Sequence, residues 1–250
     1  MTELAVQRLK REDGETIAYL QRAGKTPGVL WLGGFHSDMS GTKAQALDAW
    51  AAEHGQAYTR FDYFGHGQSS GAFRDGTISR WRDDALAVLD RLTSGPQLLV
   101  GSSMGAWIAL LVARLRPERL HALLLLAPAP DFTEDLMWAE MEPEVRREIM
   151  GKGEWQRPSA YGEEPYPITR ALIEDGRSNL VLQGPIELPC PVRILQGLKD
   201  PDVPWQHALK LVERLSGNPV ITLIKQGDHR LSTPSDIRRM YEALDALVAG

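Results

Sequence analysis

One short segment has the residue types and spacing of a catalytic nucleophile. The pentapeptide GSSMG at residues 101–105 follows the apolar run 98–100 and precedes 106–115, which has the pattern of a buried helix. A G-x-S-x-G spacing between a strand and a helix is typical of a nucleophile elbow, in which a strained turn exposes the serine hydroxyl. The flanking residues must be glycines because any side chain there would clash with neighbouring backbone. Ser103 is therefore the predicted nucleophile.

A serine hydroxyl is a weak nucleophile and needs a base, usually a histidine that is held by an acid. The segment GLKDPDVPW at 197–205 contains Asp200, and the segment GDHR at 227–230 contains His229. Both segments come directly after apolar runs, and ligands of open α/β sheets gather beyond the ends of such strands. The sequence therefore offers an acid and a base for Ser103.

The elements that would position these residues alternate along the chain. Short apolar runs, typical of strands covered on both faces, alternate with amphipathic helix patterns, and this order predicts an α/β fold with a mostly parallel sheet. Residues 78–92 have helical spacing, and a last helix is predicted to begin after Thr233 as N-cap, with Pro234 at its first position. The predicted strands are 6–10, 16–21, 29–32, 57–62, 98–101, 122–127, 192–195 and 220–225.

One polar and uneven segment interrupts the alternation. Residues 131–187 contain short helical patterns and several prolines but no convincing strand. Structureless connections of more than about 15 residues are uncommon unless they are functional, so we interpret this segment as a lid inserted into a core formed by 1–130 and 188–250. A linker or an ordinary crossover is the alternative.

Composition narrows the class of partner. The net charge is −5 and the sequence has no basic block, which argues against nucleic acid and against anionic membranes. No apolar stretch reaches transmembrane length, so we expect no stable membrane insertion. The lone Cys190 cannot form an internal disulfide, and residues 1–16 are polar, which favours a cytoplasmic location. We expect a monomer or a weak homodimer.

Further motifs make the pattern specific. LGGFH at 32–36 and FDYFGHGQS at 61–69 accompany the elbow, the G-x-x-D-x-x-V-P segment and the late G-D-H. Together they resemble the α/β-hydrolase family over nearly the whole chain apart from the lid. Longer strings, among them MSGTKA at 39–44, resemble the branch that contains acyl-glucuronide esterases and palmitoyl-protein thioesterases.

The resemblance implies a mostly parallel eight-stranded sheet with a small helical lid, and a role for each matched residue. Ser103 is then the nucleophile, His229 the proton carrier and Asp200 the acid that orients it. The backbone N–H groups of Phe35 and Met104 form the expected oxyanion hole. The implied substrate is a small-molecule ester or an acyl thioester, and the resemblance implies neither a cofactor nor a metal.

Several alternatives remain open on the residues themselves. Ser102 occupies the variable position of the elbow, and Asp202 is the alternative acid, although it suits a turn or a helix cap better. His66 in its glycine-flanked turn suits a structural role. His36 could line the pocket or lie on the surface, and Trp138 is a candidate for substrate contact, as the lid's Met and Trp residues could line an acyl pocket or form the lid's own core.

Function is also open between classes. The leading hypothesis is a serine hydrolase that forms an acyl-enzyme. The alternatives are a serine hydrolase acting on peptide or carbon–carbon bonds, and a non-catalytic small-molecule receptor that uses the same fold.

Overall fold

The computed structural model describes residues 4–158 and 165–249. Residues 1–3, 159–164 and 250, which belong to the predicted core and lid, lie outside the described residues. The strands of the described chain are β1 (Gln7–Lys10), β2 (Thr16–Arg22), β3 (Lys25–Leu32), β4 (Gln56–Phe61), β5 (Gln97–Ser102), β6 (Leu120–Leu126), β7 (Glu154–Arg157), β8 (Tyr166–Thr169), β9 (Val192–Gly197) and β10 (Val220–Ile224).

Helices connect most of these strands. The described α-helices are α1 (Thr42–His54), α2 (Ile78–Leu92), α3 (Met104–Leu115), α4 (Pro143–Lys152), α5 (Arg170–Arg177), α6 (Trp205–Arg214) and α7 (Pro234–Val248). Short 3₁₀ turns occur at Phe73–Asp75 and Pro117–Arg119, and a π-helix spans Thr133–Trp138. No helix in the described part of the chain combines the length and the apolar character that crossing a membrane requires.

Eight strands form one sheet in the order β1-β2-β4-β3-β5-β6-β9-β10. β1 pairs with β2 and β2 with β4 in antiparallel fashion, and the pairs from β4 to β10 are parallel. The α/β-hydrolase architecture predicted from the sequence is confirmed. All eight predicted strands are present, with ends that differ by a few residues.

The sheet is covered on both faces, and its central strands carry buried apolar residues that point to both sides. In β5, Leu98 and Val100 pack into the cluster that contains α1 and α7, whereas Leu99 packs into the cluster with α2 and α3. Side chains that alternate between two buried faces give the continuous apolar run seen in the sequence. α3 is the most deeply buried helix, with every residue from Met104 to Ala113 buried.

The lid segment contains a feature that the sequence did not reveal. β7 and β8 pair as a two-stranded antiparallel sheet, with Trp155 opposite Ile168, so the expectation that 131–187 has no strand is wrong. Each strand has only four residues, too few for a clear alternating pattern. Pairing with each other, and packing against the apolar cluster around Ile149 and Ile173, stabilises them instead.

A buried carboxylate joins the two ends of the lid. Asp131 is fully buried and accepts the N–H groups of Val181 at 2.8 Å and Leu182 at 2.9 Å. Burial raises the pKa of Asp131, and the two backbone donors oppose that rise. The lid therefore leaves and rejoins the core at one hydrogen-bonded point.

The predicted cap of the last helix provides a test of the fold. Thr233 Oγ1 accepts the Asp236 N–H, and the Asp236 carboxylate accepts the Thr233 N–H, which together form a capping box. Thr233→Ala removes this cap and should lower the free energy of unfolding by about 1 kcal/mol in urea denaturation. Glu242→Ala, at an exposed site of the same helix, should change it by less than about 0.5 kcal/mol. Equal losses in the two variants would contradict the capping role.

Candidate active site

The turn between β5 and α3 holds Ser103 in a strained conformation. Ser103 has φ 54° and ψ −117°, outside the regions that a side chain normally allows. Its N–H donates to the carbonyl of Leu126 on the neighbouring strand at 2.9 Å. Residues held in such sparsely populated regions cost roughly 1–3 kcal/mol and cluster at functional sites. The turn lifts the Ser103 hydroxyl away from the sheet, as the nucleophile-elbow prediction requires.

The two flanking glycines are required by close contacts. A Cβ on Gly105 would lie 2.0 Å from the carbonyl oxygen of Leu32, and one on Gly101 would lie 2.5 Å from that of Gly105. Both distances are far below van der Waals contact, and both involve backbone that cannot move aside. The helix can therefore approach β3 and β5 closely enough to form the turn only because both residues lack side chains.

The structure brings Ser103, His229 and Asp200 together at the carboxyl end of the parallel strands. Ser103 Oγ lies 3.1 Å from His229 Nε2, and His229 Nδ1 lies 2.9 Å from Asp200 Oδ2. The Asp200 side chain is fully buried, while that of His229 is 18% exposed. An ionised carboxylate only accepts hydrogen bonds, so Nδ1 carries the proton and Nε2 is left to accept the serine proton.

Backbone and side-chain donors fix the Asp200 carboxylate. Oδ1 accepts the N–H groups of Asp202 at 2.9 Å and Val203 at 2.8 Å. Oδ2 accepts the Gln196 amide at 3.2 Å in addition to His229. Gln196 is fully buried at the end of β9, and sequence patterns did not single it out because a glutamine in an apolar strand carries no motif.

The rival acids take other positions. Asp228, which directly precedes His229, accepts the Leu231 N–H at 2.9 Å. Asp202 lines the active-site cavity, and the N-cap of α6 is Pro204, so the structure does not place Asp202 as the cap of that helix. Asp200, Asp202 and His229 offer ligand atoms within 4.8 Å of one another, but the oxygens of Asp200 already accept N–H donors. These contacts are those of an acid–histidine pair.

Two backbone N–H groups suit an oxyanion hole. Met104 is the first residue of α3, where no earlier carbonyl of the helix can accept its N–H. Within residues 4–158 and 165–249, no protein group accepts the N–H of Met104 or that of Phe35. Phe35 lies in the turn after β3, and the neighbouring Gly34 backs onto Ser103, since a Cβ built on Gly34 would lie 3.5 Å from the Ser103 Cβ.

Aromatic packing anchors the turn that carries Phe35. The Phe35 ring makes edge-to-face contacts with four other rings at centroid distances of 5.0–5.8 Å, those of Phe73, Trp81, Phe132 and Tyr166. Such pairs contribute about 0.5–1.5 kcal/mol each beyond their buried area. Side chains from the lid and from the core therefore meet at this residue.

The turn after β4 makes hydrogen bonds to the segment that follows β3. Asp62 Oδ1 accepts the Met39 N–H and Oδ2 accepts the Gln68 N–H, both at 2.7 Å. His66 is buried, and its Nε2 accepts the His36 N–H at 3.2 Å. His66 thus contacts the turn after β3 directly, through the His36 N–H, and no sequence pattern indicated this contact.

A cavity of about 390 Å³ opens above Ser103. Part of its wall is apolar and part is charged. The apolar lining residues include Ala129, Phe132, Leu136, Met137 and Val203. The charged lining residues are Lys43, Arg157 and Arg230 together with Asp38, Glu140 and Asp202. The apolar lining suits an acyl chain, and the charged lining residues are basic and acidic in equal number.

The structure separates the two predicted substrate contacts. His36 lines the cavity and stacks on Tyr166 of the lid, with ring centroids 5.1 Å apart. Trp138 does not line this cavity, so the structure does not support its predicted contact with substrate, which stays a prediction. Trp138 packs into the apolar cluster of the lid, with the guanidinium groups of Arg177 and Arg146 over its ring at 4.7 and 5.5 Å. Its neighbour Met137 lines the cavity instead because the π-helix turns the two side chains to different sides.

The buried His66 generates a prediction about stability. Burial lowers the pKa of His66 from 6.5 to about 4 in the folded protein. The unfolded chain therefore binds more protons between those values, and stability contributed by neutral His66 is lost as the pH falls from 6.5 towards 4. Over that interval His66 should account for a loss of about 3 kcal/mol in the free energy of unfolding.

Urea denaturation at pH 7, 6, 5 and 4 measures this loss against His66→Gln, which has no titrating ring. The difference in unfolding free energy between the wild type and the variant should shift in favour of the variant as the pH falls. If the unfolding free energies of the two proteins change with pH in parallel, the lowered pKa of His66 in the folded protein is ruled out.

Comparison with known proteins gives the same assignment as the geometry. A model of the alpha/beta hydrolase family matches residues 28–242. The chain is 40% identical over 242 residues to "Palmitoyl-protein thioesterase ABHD10, mitochondrial" from Mus musculus, covering 96% of this chain and 81% of that protein.

Two solved structures are similar throughout. The crystal structure of a protein from Agrobacterium vitis S4 matches this chain with a TM-score of 0.94 and 48% sequence identity. The match covers 99% of this chain and 100% of that one. Alpha/beta hydrolase domain-containing protein 10 from mouse has a TM-score of 0.90 and 38% identity, with 98% of each chain covered. The architecture, the elbow and the matched residues lead to one conclusion: the chain belongs to the α/β-hydrolase family.

Proposed function

We propose that this protein is a serine hydrolase that cleaves carboxylic esters or thioesters through a covalent acyl-enzyme. The observation that carries the proposal is the hydrogen-bonded chain from Ser103 through His229 to Asp200 at the base of the cavity. The distances of 3.1 and 2.9 Å match those of a nucleophile, its base and the acid that orients the base. The predicted division into core and lid belongs to this proposal, with the lid forming part of the substrate cavity.

The geometry supports a two-step reaction. Ser103 Oγ attacks the carbonyl carbon while His229 Nε2 takes its proton, and the oxyanion accepts the N–H groups of Phe35 and Met104. The carbon–oxygen or carbon–sulfur bond then breaks as His229 donates that proton to the departing alcohol or thiol. Water then attacks the acyl carbon while His229 Nε2 takes a proton from it. The bond from that carbon to Ser103 Oγ breaks as His229 returns the proton to Oγ, which releases the carboxylic acid and restores the serine. Asp200 stays ionised throughout and stabilises the imidazolium.

Two observations support an acyl substrate. Apolar side chains of the core and of the lid line one part of the cavity. The mouse and human relatives are named palmitoyl-protein thioesterases, and they are 40% and 38% identical to this chain. Equal numbers of basic and acidic side chains on the charged part do not select an anionic leaving group, so an acyl glucuronide is not favoured over a thioester.

The other hypotheses make different demands on the site. A non-catalytic receptor does not require an aligned Ser–His–Asp chain. In such a receptor, the strained conformation of Ser103 would destabilise the fold without a function. Peptide or carbon–carbon cleavage would use the same triad, so only the substrate profile separates these reactions from ester and thioester hydrolysis. A cytoplasmic location and a monomeric or weakly dimeric state remain predictions.

Hydrolysis of a matched substrate panel tests the proposal. The panel contains short- and long-chain p-nitrophenyl esters, a palmitoyl thioester and an acyl glucuronide. Ser103→Ala should lower turnover by at least about 10³-fold, since the acyl-enzyme cannot form. Ser178→Ala, an exposed serine that does not line the cavity, should retain the wild-type rate.

The profile also decides between the hypotheses. Turnover of any ester or thioester that depends on Ser103 supports the hydrolase. Equal turnover by the wild type and Ser103→Ala, or none on any member of the panel, would remove the ester and thioester hypothesis and favour a receptor or another bond type.

A further inference from the structure

The His66 ring contacts the backbone of two different turns, the one after β3 and the one after β4. Its Nε2 lies 3.2 Å from the His36 N, and its Nδ1 lies 3.0 Å from the carbonyl oxygen of Phe64. The ring therefore joins the turn after β4 to the turn after β3. His36 directly follows Phe35, whose N–H faces the reacting centre in the proposed mechanism.

These two contacts define the protonation state of the ring. A backbone N–H only donates, so Nε2 must be an unprotonated acceptor, and the proton of the neutral ring sits on Nδ1 and points to the Phe64 carbonyl. Burial lowers the pKa of His66 to about 4, with the nearby His36 acting in the same direction. The ring accordingly remains an acceptor at neutral pH.

The ring itself has little freedom to turn. Three aromatic rings contact its edges at centroid distances of 5.8, 5.1 and 5.2 Å, those of Tyr63, Phe73 and Trp81. Phe73 and Trp81 also contact the Phe35 ring. One aromatic cluster therefore holds both the His66 ring and the Phe35 side chain.

The turn needs such an acceptor because its backbone is strained. His36 has φ 56°, in the left-handed region that disfavours residues with a side chain. A strained turn persists only where surrounding contacts over-determine it. Without an acceptor for the His36 N–H, the peptide between Phe35 and His36 could rotate. The backbone dihedrals of Phe35 would then change, and the preceding peptide, which carries the Phe35 N–H, would be free to reorient.

We infer that His66 is a positioning residue for the oxyanion hole: its Nε2 accepts the His36 N–H and thereby holds the adjacent Phe35 N–H towards the carbonyl oxygen of the substrate. This inference rests on the proposed function, since it concerns the same site. His66 touches neither the substrate nor the reacting atoms. Its contribution is to kcat rather than to substrate binding.

Three substitutions separate the acceptor from the shape of the ring. His66→Gln can place its Oε1 near the position of Nε2 and keep the acceptor. His66→Asn is too short to reach the His36 N–H, and His66→Phe keeps the ring without an acceptor. The matched control is His121→Phe. This substitution removes a histidine hydrogen bond of 2.8 Å, from Nε2 to the Leu247 carbonyl oxygen, which lies outside the site.

The measurement is kcat and KM on the best ester of the panel, with the Ki of a trifluoromethyl ketone that adds to Ser103 as a transition-state analogue. His66→Asn and His66→Phe should lower kcat on the order of 10-fold, less than the 100- to 1,000-fold typical of deleting a donor outright. KM should change by less than about two-fold, and Ki should rise in proportion to the loss in kcat/KM. His66→Gln should recover most of kcat, and His121→Phe should leave it unchanged.

Other results would overturn the inference. Wild-type kcat in all three His66 variants, a loss confined to KM, an equal loss in His66→Gln and His66→Asn, or an equal loss in His121→Phe would each do so. If His66→Phe fails to fold, the Gln and Asn pair decides the question. Failure of the proposed function is distinguishable, because the wild type itself would then show no turnover that depends on Ser103, whatever stands at position 66.

Discussion

The close approach of α3 to the central strands is the constraint on which the site depends. The backbone of Gly105 packs against the Leu32 carbonyl so tightly that a Cβ would lie 2.0 Å from that oxygen. This approach forces the chain into a sharp turn at Ser103, with φ 54°, and leaves the Met104 N–H at the open end of a helix. The position of the Ser103 hydroxyl, the Met104 N–H at the helix end and the strain at the serine thus have a single physical origin: glycines on either side of one turn.

The rest of the site is assembled at the same edge of the sheet by hydrogen bonds between turns. Asp200 stays in place because backbone N–H groups of its own loop and the Gln196 amide bind its oxygens. Asp62 and His66 connect the turn after β4 to the segment after β3. Buried polar side chains therefore hold the turns after β3, β4 and β9 in place, as a precise site geometry requires.

The described part of segment 131–187 adds surface to the cavity. Its π-helix presents Met137 to the cavity and turns Trp138 into the lid's own core. Its strand β8 brings Tyr166 onto His36 and the Phe35 ring. The lid thus shares an aromatic cluster with the oxyanion turn, so that the walls of the substrate cavity and the positioning of the donor depend on the same packing.

The sequence by itself determined the sheet and the elbow, and it singled out Ser103, His229 and Asp200, which the structure brings together. Continuous apolar runs mark strands buried on two faces, and the steric demand of the elbow leaves a five-residue signature that is local in the chain. Only the tertiary structure decided which side chains support these residues. Gln196 and Asp200, or His66 and His36, meet because separate turns converge on one sheet edge, and convergence has no local sequence signal. The short lid strands and the position of Trp138 escaped sequence analysis for the same reason, because pairing and packing with distant residues stabilise them rather than any periodicity of their own.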